Sequence, residues 1–288
     1  MKVKKVLKET NYIKIIAGII VGLAVFQVLN NSHAIDNSTE DILVDWKQVH
    51  EDFKNEISTA VDDQELVQDE ILYSIDSELK ELTNVIKQIP NETNSTVITV
   101  NNNIPLFTED EIKYAEEIGS YESYSELDNL GRCGPAMAYI GKELMPTEER
   151  GSISEIKPTG WHLYNTKNEW NIVLPSGNFY LLQRAHLIAY CLTSENANPR
   201  NLITGTDQLN QAMVDYEVKV ARYVEDNDIN VLYRVTPVFE NNNLLAKGVL
   251  IEAQTLENND ICFCVFVYNI QNNFAFNYAN GEATYKGE

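Results

Sequence analysis

Arg184 and His186 stand two residues apart in a chain of 288 residues. On a strand that spacing puts a guanidinium and an imidazole on one face, with Ala185 on the other. An imidazole has an ordinary pKa of about 6.5, so a neutral base is available around neutral pH. A guanidinium can donate two parallel hydrogen bonds to an anionic oxygen pair. Together they suit proton abstraction beside a phosphate-like anion. Further along, Asn210 and Glu217 recur at i and i+7, which on a helix is about 700° of rotation and roughly 10 Å of rise. They share a face but cannot both sit directly on one ion. Between the two groups lies Asn201, just after Pro199 and Arg200, where an asparagine either joins a site or turns the loop.

A strand and a helix are needed to aim these residues, and the neighbouring sequence offers both. Residues 179–182 form a compact aromatic and aliphatic strand candidate that can continue through His186. Residues 206–224 are helical in pattern, with Leu209, Met213, Tyr216 and Val220 on one side. Three strand-like runs follow at 229–239, 244–256 and 261–270, separated by Asn241-Asn242-Asn243 and by Glu257-Asn258-Asn259-Asp260, both turn compositions. Strands and helices mix without a βαβ rhythm, so the expected class is α+β.

Upstream the character changes. From 40 to 89 the apolar residues recur every three or four positions, from Ile42, Trp46 and Val49 through Leu79, Leu82, Ile86 and Ile89. Acidic residues fill the gaps, so residues 35–100 read as an acidic helical stalk and linker. The stalk is either a coiled coil that oligomerises or an antiparallel pair folded on itself, and 91–103 is the linker. Residues 1–34 open with Lys2, Lys4, Lys5, Lys8 and Lys14, then an uncharged apolar run over 15–29, then Ser32-His33-Ala34. This is the pattern of a signal peptide or a membrane anchor, with cleavage expected after Ala34. Everything beyond the leader is acidic on balance, within a formal net charge of −21. Binding of nucleic acid by a broad basic surface is therefore excluded, and any phosphate-binding cations must be local.

Read in order, Gln183-Arg184-Ala185-His186-Leu187, Asn201-Leu202-Ile203-Thr204-Gly205-Thr206, Asn210 and Glu217 resemble the DNA/RNA non-specific endonuclease family, built on the ββα-metal or His-Me finger core. Leu130-Gly131-Arg132-Cys133-Gly134, the segment Met145 to Gly151 and Lys157-Pro158-Thr159-Gly160-Trp161-His162 are similar to its exported bacterial branch. The resemblance spans nearly all of 101–278 and none of the stalk. It implies a ββα-metal domain over 101–288 with a central antiparallel sheet. It also implies an exported hydrolase of DNA, and of RNA as well, acting on the backbone without sequence preference.

In the roles the resemblance carries over, His186 is the base, Arg184 the phosphate clamp and Asn210 the direct metal ligand. Glu217 acts through metal-bound water, and Asn201 helps position the phosphate. The implied metal is magnesium, with manganese as an alternative. A single neutral ligand suits magnesium, which keeps several waters and takes phosphate oxygens. Two departures are visible. The family pattern reads Asp-Arg-Gly-His, where Gln183 and Ala185 stand here, and the interval from Asn210 to Glu217 is one residue short, which leaves Asp215 as a rival for Glu217. A surface interaction protein with an oligomerising stalk and a degenerate nuclease-like domain is the competing expectation.

The remaining candidates read as structural. His162 pairs with Trp161 in this reading. Arg132, Arg150 and Arg234 either line a phosphate path or form ion pairs. The four cysteines lack zinc spacing, Cys262 and Cys264 share a strand face, and a Cys133 to Cys191 bridge stays open.

Overall fold

The fold is given by a computed structural model, which describes residues 80, 82–91, 95–161, 173–174, 176–178 and 180–287. The leader, most of the expected stalk and His162 lie outside the described residues.

The three apolar runs near the carboxyl end become β6 (Val231–Val238), β7 (Gly248–Thr255) and β8 (Cys262–Tyr268). With β1 (Val97–Thr99), β2 (Tyr121–Tyr124) and β3 (Ala136–Ile140) they form a six-stranded sheet in the order β1-β8-β7-β6-β3-β2. Every neighbouring pair is antiparallel. The central strands are apolar at nearly every position because both faces of the sheet are covered. On one face Ala138, Tyr233, Ile251 and Val265 belong to the main core. On the other, Leu250, Cys264 and Phe266 pack with Val85 and Ile89, and Leu232 and Tyr139 pack with Ala115.

Ala115 belongs to α1 (Glu109–Ile118), which opens with a reciprocal capping box between Thr108 and Glu111. That helix is tied to the sheet through Arg234. Its guanidinium lies 2.8 Å from both Glu111 and the fully buried Glu252, and rests over Phe107.

One expectation is corrected. The segment 91–103, read as linker, contributes β1, whose Val97 pairs with Val267 at the edge of the sheet. Val85 and Ile89 at the end of the expected stalk are buried against the same sheet, and the Tyr268 hydroxyl donates to the Pro90 carbonyl at 2.9 Å. Asn101, Asn102 and Asn103 then turn the chain with three successive left-handed φ values of 46°, 51° and 65°. Asn103 also pairs its side chain with the backbone of Cys262 and Cys264. Asparagine tolerates this region better than other residues that carry a Cβ.

On the main-core face of the sheet sit β4 (Leu182–His186) and β5 (Leu202–Thr206), an antiparallel pair, followed at once by α3 (Asp207–Asn227). A short helix α2 (Tyr190–Thr193) and a turn of 3-10 helix at Pro199–Asn201 connect the two strands. A second hairpin, β9 (Phe274–Asn277) with β10 (Glu282–Tyr285), closes the chain.

Candidate active site

The unit that carries the expected chemistry is strand, strand, helix. Across β4 and β5, Arg184 pairs with Thr204 and His186 with Leu202, so Arg184 and His186 share a face as the spacing predicts. Ala185 and Ile203 on the opposite face enter the main core with Leu209 and Met213 of α3. Gly205 makes that contact close. A Cβ there would lie 2.8 Å from the Cβ of Ala185 and 3.0 Å from Leu209 Cδ2. The helix starts where Thr206 accepts a hydrogen bond from the Leu209 amide at 3.0 Å, and the same hydroxyl donates to the Ile270 carbonyl at 2.7 Å.

His186 is only 7% exposed. Its Nε2 lies 2.8 Å from the Asn196 carbonyl, and because a carbonyl can only accept, Nε2 carries the proton. Nδ1 is then the bare nitrogen, 3.3 Å from Arg150 Nη2, from which it accepts. Burial pushes the imidazole pKa down from 6.5 to about 4; the Asn196 carbonyl opposes this and Arg150 adds to it. The ring is thus neutral at physiological pH, its lone pair aimed at the arginine.

Arg150 is the residue that sequence reasoning failed to separate from Arg132 and Arg234. Those two are structural. Arg132 is 1% exposed and bound to Asp128 and to the carbonyls of Asn241 and Asn243, and Arg234 is locked between Glu111 and Glu252. Arg150 is exposed; it lies within hydrogen-bond distance of His186 and opposes the upward shift of the Glu217 carboxyl. Its place within the family-like Met145 to Gly151 segment was the available signal. Gly151 next to it abuts Asn196, where a Cβ would come within 2.9 Å of Asn196 Nδ2.

Asn210 sits in the first turns of α3 and is half-buried. Glu217 lies two turns later, also half-buried, whereas Asp215 points to solvent. Glu217 lies within electrostatic reach of Arg150. Burial raises its carboxyl pKa from 4.5 to about 8, against the pull of Arg150. The hydroxyl of Tyr233, fully buried and without a hydrogen-bond partner, and the thiol of Cys191 lie within its electrostatic reach. Among the described residues there is no cluster of three or more His, Cys, Asp or Glu side chains that could cage an ion. The donor set around Asn210 and Glu217 fits a hydrated, hard divalent cation better than a fully protein-ligated one.

Two expected site residues have their polar groups engaged elsewhere. Arg184 Nε donates to the Ile156 carbonyl and Nη2 to the Ser154 carbonyl at 2.7 Å, while its guanidinium stacks 4.1 Å from the Trp161 ring centre. Asn201 is fully buried; its Oδ1 accepts from the Ile188 amide at 2.8 Å and its Nδ2 donates to the Ile188 carbonyl at 2.9 Å. It therefore fixes the backbone immediately after His186. Cys133 and Cys191 are free thiols, and Cys133 donates weakly to the Pro199 and Leu202 carbonyls.

Comparison with known proteins gives a consistent answer. Residues 111–256 match the family model described as DNA/RNA non-specific endonuclease. The fold is similar to that of NucA from Streptococcus agalactiae with magnesium ion bound, at 26% identity and a TM-score of 0.57 over 72% of this chain and 94% of that one. The same protein with no metal bound gives 25% identity and a TM-score of 0.57. Sda1 nuclease with bound zinc ion matches at 29% identity and a TM-score of 0.49, over 57% of this chain and 81% of that one. No curated protein matches the chain.

Proposed function

We propose, from the premise that this chain belongs to the DNA/RNA non-specific endonuclease family, that it is an exported, magnesium-dependent nuclease cutting DNA and RNA through backbone contacts. The observation that carries this reading is the hydrogen bond from His186 Nε2 to the Asn196 carbonyl, which leaves Nδ1 as a neutral base beside an exposed arginine.

In this mechanism Nδ1 of His186 takes a proton from the attacking water, and Asn196 stabilises the imidazolium through its carbonyl. Arg150 meets the non-bridging oxygens of the scissile phosphate, a task its planar fork suits. Asn210 would hold the metal directly by its amide oxygen, and Glu217 would orient a metal-bound water. Bound there, a divalent ion supplies positive charge for the phosphate and the leaving oxygen. NucA of Streptococcus agalactiae was solved with magnesium, which favours that ion here, with manganese as the alternative. Such a site brings its own cations, so an acidic chain with a net charge of −21 can still engage a polyanion. The lysine-rich leader followed by an apolar run supports export, with the product secreted or held at the membrane, and the acidic stalk remains a candidate for self-association.

The test is incubation of the full chain with plasmid DNA and magnesium, with and without chelator. Degradation that chelator abolishes, and that falls by about 10²–10⁴-fold in His186→Ala, is the expected result. Plasmid left intact by a folded protein in magnesium and in manganese would instead make the domain a binding module.

A further inference from the structure

We infer that Arg184 is a positioning residue, a pin that holds the 150–156 arm over the site so that Arg150 stands against His186. This rests on the proposed role of Arg150, and it gives Arg184 a different task from direct phosphate binding. The arm from Gly151 to Lys157 forms no strand or helix. Its internal bonds are few: the Ile156 amide to the Ile153 carbonyl, and contacts among Ser152, Ser154 and Glu155. Besides the contact of Arg150 with His186 and the Tyr190 hydroxyl on the Glu148 carbonyl, the described tether to the hairpin is Arg184, whose Nε and Nη2 each donate to an arm carbonyl, Ile156 and Ser154.

The pin is itself backed. Its guanidinium lies over Trp161, and Trp161 packs against the buried cluster of Leu174, Leu181, Leu182 and Phe274, against which Phe276 and Tyr285 of the terminal hairpin also pack. That hairpin lies beyond the family-matched residues 111–256. A continuous line of contacts thus runs from β9 and β10 through Trp161 and Arg184 to the arm, and from the arm to the base. Two donors turned to backbone carbonyls fix the arm's distance from β4, and the stacked ring fixes the plane of the fork. Arginine suits such a joint because its rigid donors lose little freedom per bond.

Two measurements on the full chain decide the matter. Amide hydrogen exchange without substrate is expected to quicken at residues 152–157 in both Arg184→Gln and Trp161→Leu, with β6 to β8 unchanged. In nuclease assays Arg184→Gln is expected to lose about tenfold or more alone, yet to cost less than twofold when added to Arg150→Ala, as coupled residues do. Losses that multiply in the double variant would return Arg184 to an independent phosphate contact and overturn the inference. So would unchanged exchange in the arm. Should the wild-type chain show no nuclease activity, the functional reading fails, and the exchange result alone decides whether the pin exists.

Discussion

At the scale of the residue, the environment of His186 sets a pH dependence that an exposed histidine would not have. Its folded-state pKa of about 4 lies below the ordinary 6.5, so the imidazole, the proposed base, stays neutral well into acid. The acidic limb of kcat/KM for the free enzyme is expected near 4 to 5, and a limb at 6.5 would show that the imidazole is solvated. The same shift bears on stability. Between these two values the unfolded chain binds the proton and the folded one does not, so stability rises with pH across that window. The contribution is complete above about 6.5 and is lost as pH falls toward 4, a change of about 3 kcal/mol. Urea midpoints at pH 4.5 and 7 should differ more for the wild type than for His186→Gln, and equal differences would refute the assignment.

The sequence made His186, Asn210 and Glu217 candidates, because their motifs resemble a known family and their spacing puts an imidazole on a strand and an amide and an acid on one helix face. It could not rank three arginines. Burial and partnership separate Arg150 from Arg132 and Arg234, and both depend on contacts with residues distant in sequence, such as Asn241 and Glu252.

Among the elements, α3 is the one whose placement the proposed metal site depends on, since Asn210 and Glu217 both ride on it. Its first turn is fixed by one hydroxyl that caps the helix and also reaches the Ile270 carbonyl. Thr206→Ala is expected to cost about 1–2 kcal/mol in denaturant unfolding and to weaken magnesium activation, while Thr206→Ser should restore both; an Ala variant with wild-type stability would show the cap to be idle. This helix and strands β6 to β8 were legible because each is long and strongly patterned. Strand β1 was not, since three residues amid Asn and Thr carry little pattern and its partner β8 lies far along the chain. The left-handed Asn101 to Asn103 turn reads as loop composition until the carbonyl and amide it pairs with, on Cys262 and Cys264, are in place.

For the whole molecule, the sheet is covered on both faces and one cover is assembled from residues ahead of the matched family region. Val85, Ile89 and Val100 are 4 to 6% exposed, and removing them uncovers Leu250 and Phe266. A chain beginning at Lys80 retains all three and is the reference for truncation. One beginning at Ile104 should lose roughly 5–9 kcal/mol relative to it, at about 1.5–3 kcal/mol for each of the three buried apolar side chains. Equal midpoints for the two truncations would mean the edge strand contributes nothing.

The strand order has one more consequence. β8 lies between β1 and β7, so the sheet's interior is filled from the last quarter of the chain, after β4, β5 and α3 have been synthesised. A polypeptide delivered from its amino end, by ribosome or by translocon, has His186 and Asn210 in hand while the platform beneath them is still missing. On the proposed function, a nascent or stalled chain that lacks this final stretch is expected to be inert toward the nucleic acid of the cell that makes it.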